Sequence, residues 1–306
     1  MSDSSSDDEA LPNWDALSGD LGCAALAALK EHFASKDTGD GEGHTPPLTV
    51  PPVAWAAGPV EVTSNLDYKH QTYWEQRFAV EDEYEWLASF KQAEPHLSAV
   101  LPDKTARLLV VGCGNSSFSE ELFDAGWVNV TSIDFSAVVI DRMRAKNVEA
   151  RPCMKWEVMD MRSLEGFGDG SFDCVVDKAA MDALMCDEGS PWDPSEGTKR
   201  DAHLMCLACA RVLVPGGRLV MISFAQPHFR RRYLEGFAAP AEVAAADGVV
   251  EAYGWRVTAA KGFGEPGCLE TFLYACTVCD AVDPKGVGAA AEGSSEGSCA
   301  PSGGSD

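Results

Sequence analysis

The run Arg107-Leu108-Leu109-Val110-Val111-Gly112-Cys113-Gly114-Asn115-Ser116 decides how this 306-residue chain folds. Residues 107–111 form an apolar run of the length of a buried strand, and residues 116–125 have the spacing of a helix. Between them, glycines at 112 and 114 let the chain turn sharply and bring its backbone close to a ligand with no side chain intervening. Working outward, apolar runs at 128–133, 154–159, 172–176 and 218–224 predict further strands, and 137–146 and 201–213 predict helices. The last of these helices is expected to stop at Pro215-Gly216-Gly217, where glycine can take up left-handed geometry. Strands alternating with helices make a parallel sheet covered on both faces. The runs at 255–260 and 270–278 have only a Gly- and Pro-containing link between them. That link is too short for a parallel crossover, so the two strands should pair antiparallel. The expected fold is therefore α/β and Rossmann-like: a mostly parallel seven-stranded sheet with a C-terminal antiparallel hairpin and helices on both faces.

On the N-terminal side, Tyr73, Trp74 and Phe78, then Tyr84, Trp86 and Phe90, recur at helical spacing and predict one amphipathic helix and a second short one. A dinucleotide fingerprint would need a third glycine after Gly112 and Gly114, but Ser117 stands there with the bulky Phe118 behind it. NAD and FAD are disfavoured on that ground. Asp134 ends the next strand, about twenty residues after the turn, where a carboxylate can take both hydroxyls of a ribose. Asp160 ends the third strand, where it or a neighbouring backbone amide can read an adenine amino group. Taken singly, the glycines could be a tight turn and the aspartates helix caps. Together they outline a nucleoside pocket at the C-terminal edge of the sheet.

The ends differ in composition from this core. Residues 1–65 combine an acidic Ser/Asp start, a short apolar stretch at 21–29 and a proline-containing linker, and are expected to be a largely disordered leader. Residues 66–280 are the expected folded domain, and 281–306 a disordered Gly/Ser/Ala tail. Forty-eight acidic against 24 basic side chains give a formal charge of −24, which opposes phosphate binding and makes direct contact with nucleic acid an unattractive reading. Such a field suits a Lys-rich protein or a cationic small molecule, or serves solubility alone. Eleven cysteines scattered through strands and helices suit free thiols in a reducing compartment. The pairs Cys206/Cys209 and Cys276/Cys279 sit in a helical and a strand pattern rather than on tight turns, and the histidines show no metal spacing, so no metal is expected. With no apolar stretch of about 18 residues and no signal-peptide pattern, the expected address is cytoplasmic, away from membranes.

From Tyr68 to Phe229 the sequence resembles the translation elongation factor 1-alpha lysine methyltransferases, a methyltransferase-like, class I S-adenosylmethionine-dependent group. The resemblance is carried by Tyr73-Trp74-x-x-Arg77-Phe78, Glu83-Tyr84-Glu85-Trp86, Leu109 to Ser116, Asn129 to Asp134, Phe172 to Lys178, Met181-Asp182-Ala183-Leu184 and Arg211-Val212-Leu213-x-Pro215-Gly216-Gly217. It implies S-adenosyl-L-methionine as cofactor, contacted by Trp74, Phe78, Trp86, Gly112, Asp134, Phe135, Asp160, Met161 and Lys178, with Gly114 completing the turn. It also implies that residues 177–182 are needed for activity and that a lysine of elongation factor 1-alpha is the acceptor. Ala179, Ala180 and Met181 stand where the family often has Gly, Thr and Leu.

Methyl transfer to an amine asks for alignment and a neutral nucleophile more than for covalent chemistry. A lysine with an ordinary pKa of about 10.4 must first lose a proton, which desolvation and a nearby acceptor both assist. Asp177 is the candidate for orienting the site and Asp182 for accepting the proton, although Asp182 could equally be a helix-terminal charge. Lys178 is expected to meet the cofactor's methionine carboxylate or nucleoside edge, or to pair with an acid. Trp74, Phe78 and Trp86 are expected to cover the adenine, to wall the lysine channel, or simply to pack. Arg230-Arg231-Arg232 is read as a solvated face. A methyltransferase for a small molecule or another protein, and a non-catalytic scaffold on the same fold, are the competing readings.

Overall fold

The structure is a computed structural model that describes residues 62, 64–187, 189, 190, 192–236, 252–264 and 270–279. The apolar stretch at 21–29 and the tail after 280 lie outside the described residues. Seven strands form one sheet: β1 (Arg107–Val111), β2 (Asn129–Asp134), β3 (Lys155–Val158), β4 (Phe172–Lys178), β5 (Leu213–Ser223), β6 (Trp255–Phe263) and β7 (Thr271–Val278). Their order across the sheet is β3-β2-β1-β4-β5-β7-β6. The first five are parallel to one another, whereas β7 runs antiparallel between β5 and β6. Hence the expected parallel sheet with an antiparallel end is present, and the strand order reverses between β1 and β4.

The covering helices are α1 (Gln71–Val80), α2 (Phe90–Leu97), α3 (Phe118–Asp124), α4 (Ala137–Asn147), α5 (Ala180–Leu184), α6 (Glu196–Val212) and α7 (Pro227–Leu234), preceded by a 3₁₀ turn at Asn65–Lys69 capped by Ser64. Alternation along the strands splits the core into two apolar layers. Leu108, Val110, Cys174, Val176, Val220 and Ile222 face one layer, and Leu109, Val111, Val175, Leu219 and Met221 the other. Because both faces are buried, β1 shows an unbroken apolar run instead of alternation.

Three local expectations are corrected. Tyr84 and Trp86 belong to an irregular segment between α1 and α2, and the second helix begins only at Phe90, where Ser89 and Gln92 form a capping box. Helix α6 starts at Glu196, five residues before the expected 201, because Ser195 caps it through the Thr198 amide. Pro215-Gly216-Gly217 does not end that helix but lies within β5, where pairing with β4 jumps from Phe172↔Leu213 to Cys174↔Arg218. Gly216 has φ +75°, and a Cβ on Gly217 would come within 2.8 Å of the Val214 carbonyl, so the glycines serve an outward bulge in the strand.

Candidate active site

The C-terminal ends of β1 to β5 open onto a cavity of about 400 Å³, a size usual for small-ligand pockets (roughly 300–1,000 Å³). It sits at the reversal of strand order, the position where open α/β sheets bind ligands. Trp74, Phe78, Trp86, Gly112, Gly114, Asp134, Phe135, Asp160, Met161, Lys178 and Asp182 all line it. Asp177 does not.

The glycine turn is required on two counts. Gly112 has φ +57°, and a Cβ there would lie 2.5 Å from the Ala180 Cβ. Gly114 has φ +53°, and its amide donates to Asp134 Oδ2 at 3.0 Å. Asp134 Oδ1 accepts from the Ser136 amide at 2.9 Å. Burial nevertheless pushes the Asp134 carboxyl up to about 6, the amides only partly opposing it. A buried carboxylate held by backbone at the rim of a cavity has lone pairs left for two ligand hydroxyls. Those residues fit the nucleoside end of S-adenosylmethionine.

Asp160 lies just past β3, with its carboxylate in a close pair with Arg162 (Nη2 to Oδ2, 2.7 Å), which also reaches Asp201 at 3.0 Å. Burial works against the charge, but Arg162 and its amide outweigh it and hold Asp160 below the usual carboxylate range. The aromatic wall is built by α1: Trp74 stacks on Phe78 with centroids 5.4 Å apart, and its indole N–H donates to the Tyr68 carbonyl. Arg77 lies 4.8 Å over the Trp86 ring and is itself held by Glu81. Of the partners considered for Lys178, the structure contains the acid: its ammonium binds Glu85 and donates to the Trp86 carbonyl at 3.1 Å. Glu85 also accepts from Ser116 Oγ at 2.9 Å, so this ion pair ties the irregular segment of Trp86 to the ends of β1 and β4.

Beyond the reversal point, β4 and β5 carry a second group of polar residues. Asp177 is 1% exposed and accepts from the Ala180 amide at 2.8 Å and the Met181 amide at 3.3 Å, capping α5 beneath the cavity floor. Burial, reinforced by the charge of Asp182, pushes its carboxyl up to about 7. Ala179, in the position where the family often has glycine, has φ +68°. Asp182 sits in the first turn of α5; its Oδ1 accepts from Ser223 Oγ at 2.6 Å and Arg230 Nη2 at 2.5 Å, and its Oδ2 from the Phe224 amide at 3.3 Å.

Arg230 corrects the solvated-face expectation. It is 3% exposed and lines the cavity, whereas Arg231 faces solvent. Helical spacing explains this: Arg230, Tyr233 and Leu234 form the buried stripe of α7. Sequence reasoning also missed Asp187, which accepts from Ser195 Oγ at 2.6 Å and from Thr198 Oγ1, and faces Lys69 at 3.6 Å. Burial opposes its charge, but these donors win and pull it down to about 2. The Ser195 to Thr198 spacing marks a helix start, yet its acidic partner eight residues upstream has no local signature. Among the described residues, no group of His, Cys, Asp or Glu is placed to hold a metal.

Residues 109–221 match the family model described as a methyltransferase domain. EEF1A lysine methyltransferase 4 of Mus musculus is 40% identical over 172 residues, covering 55% of this chain and 66% of that protein. The eEF1A lysine and N-terminal methyltransferase of the same organism is 36% identical over 177 residues, covering 57% of this chain and 24% of that protein. The chain thus spans about two thirds of the first relative's length and about a quarter of the second's. A solved N-methyltransferase from Bradyrhizobium japonicum, in complex with S-adenosyl-L-homocysteine, is 18% identical, with 69% of this chain and 98% of that one covered at a TM-score of 0.44. With the strand order, the antiparallel last pair and the family match in agreement, the chain carries a methyltransferase domain of the class I, Rossmann-like fold.

Proposed function

We propose that the protein is a protein-lysine N-methyltransferase that transfers a methyl group from S-adenosyl-L-methionine to a lysine of elongation factor 1-alpha, acting in the cytoplasm. The observation that carries the reading is one cavity with two chemically distinct halves: a nucleoside half over β1 to β3 and an acceptor half over β4 and β5. The names of the sequence relatives supply the acceptor.

In the nucleoside half, Asp134 takes the ribose hydroxyls, the glycine turn gives its backbone to the ligand, and Asp160 and Met161 flank the base. Trp74, Phe78 and Trp86 close the site and exclude water. The cofactor, when bound, supplies an electrophilic sulfonium methyl. In the acceptor half, an apolar wall that includes Ala180, Ala183 and Phe224 desolvates the incoming lysine, which lowers its pKa and favours the neutral nucleophile. Asp182 faces the cavity with a partly engaged Oδ2 and is the candidate for receiving the proton, while Asp177 orients α5 from below by holding its first amides. The chain's charge of −24 favours a basic partner over nucleic acid.

Incubation with labelled S-adenosylmethionine and a cell lysate tests the proposal. Label in one protein at the mass of elongation factor 1-alpha, mapped to lysine, is the expected result. Label in small molecules or in another protein would instead identify a different acceptor, and no label would leave a scaffold.

A further inference from the structure

The Arg230 guanidinium contains a buried donor that none of the described residues engages. Its Nη2 binds Asp182 and its Nε lies 3.4 Å from Ser223 Oγ, but Nη1 is buried with no hydrogen-bond partner among the described residues. A buried N–H group left unpaired costs roughly 1–3 kcal/mol, and more on a charged group, so such atoms mark places where a ligand completes the bonding. Arg230 lines the cavity at the ends of β4 and β5, away from the ribose acid on β2. The donor therefore serves the acceptor half.

The charges around it select the kind of partner. Arg230 and Asp182 are 3% and 4% exposed and form a closed ion pair, so the guanidinium has no net charge to offer. Lys69 and Lys178, which also line the cavity here, are faced by Asp187 and Glu85. A phosphate or carboxylate entering here would meet balanced pairs and gain little for its desolvation. At Nη1 itself an ammonium would meet a donor where it needs an acceptor. A neutral oxygen that accepts hydrogen bonds suits the site, and a polypeptide carries one at every residue.

Resting on the protein-lysine reading above, we infer that Arg230 Nη1 binds a main-chain carbonyl oxygen of the acceptor polypeptide, which fixes the lysine relative to the methyl group. Arg230 is then a substrate-binding residue and Asp182 its electrostatic anchor. A small amine without a carbonyl would leave the donor unsatisfied, so the same contact discriminates against such acceptors.

Arg230→Lys keeps a cation for Asp182 but has a single nitrogen, and so removes the second donor. With purified elongation factor 1-alpha, KM for the protein acceptor should rise roughly ten- to hundred-fold, the range expected for losing one charge-assisted hydrogen bond. Affinity for S-adenosylmethionine, measured by calorimetry, should stay within a factor of two or so. An unchanged KM in a variant that still binds cofactor would overturn the inference, while wild-type protein that methylates only small amines would overturn the reading beneath it. Should the variant fail to fold, the wild-type protein labelled with ¹⁵N-arginine carries the test. With S-adenosylhomocysteine present, saturating elongation factor 1-alpha should shift the Arg230 Nη1 resonance and slow its exchange; an unmoved resonance refutes the contact.

Discussion

Asp177→Asn should make the protein more stable, and increasingly so as pH rises. The wild-type carboxyl is 1% exposed, and burial followed by the charge of Asp182 pushes its pKa up to about 7. In the unfolded chain the same group loses its proton near pH 4. Between those values the folded state binds a proton that the unfolded state has released, so stability falls with rising pH. This contribution is fully present below about pH 4 and is lost as the pH passes about 7. At about 1.4 kcal/mol per pH unit the whole effect is about 4 kcal/mol, of which about 3 kcal/mol falls between pH 5 and 8.5. Asparagine has a similar shape, keeps a carbonyl oxygen for the Ala180 amide, and does not titrate. Urea unfolding followed by tryptophan fluorescence should show the variant gaining about 3 kcal/mol over wild type from pH 5 to 8.5. Asp134, also raised by burial, has the same sign but is present in both proteins and cancels. Stability curves that run parallel with pH would refute the reasoning, because they would mean that the buried amide donors fully compensate the charge.

Two further substitutions probe the backbone of the site. Ala179→Gly relieves a left-handed residue at φ +68°, and after the entropy that glycine adds to the unfolded chain it should gain about 0.5–1 kcal/mol in the same unfolding assay. Gly112→Ala must accommodate both φ +57° and a Cβ 2.5 Å from Ala180; a loss of about 1–3 kcal/mol is expected by thermal unfolding, with weaker cofactor binding by calorimetry.

The parts of the site legible in the sequence are those written in short stretches. Gly112 and Gly114 could be read from the turn between a strand and a helix, and Asp134 and Asp160 from standing at the ends of the next two strands. Trp74, Phe78, Trp86, Phe135, Met161 and Lys178 came only through family resemblance, and all of them line the cavity. The rest depends on contacts distant in sequence. Lys178 meets Glu85 across 93 positions, and Glu75 of α1 caps α4 by accepting from Ser136 Oγ and the Ala137 amide. Nothing near Glu75 or Glu85 announces those partners. Arg230 is a different case: three adjacent arginines look alike in composition, and only the helical period separates the buried one from its neighbours. The Pro-Gly-Gly run shows the converse, since its turn chemistry was legible but serves a bulged strand rather than a helix end.

The account rests above all on Asp134 and the glycine turn forming a site for S-adenosylmethionine. Isothermal titration of the cofactor into wild type and Asp134→Ala measures this directly. One site per chain in the wild type, no measurable binding in a variant that remains folded, and no binding of NAD by either protein are the predicted results. An unchanged affinity in Asp134→Ala would contradict the account.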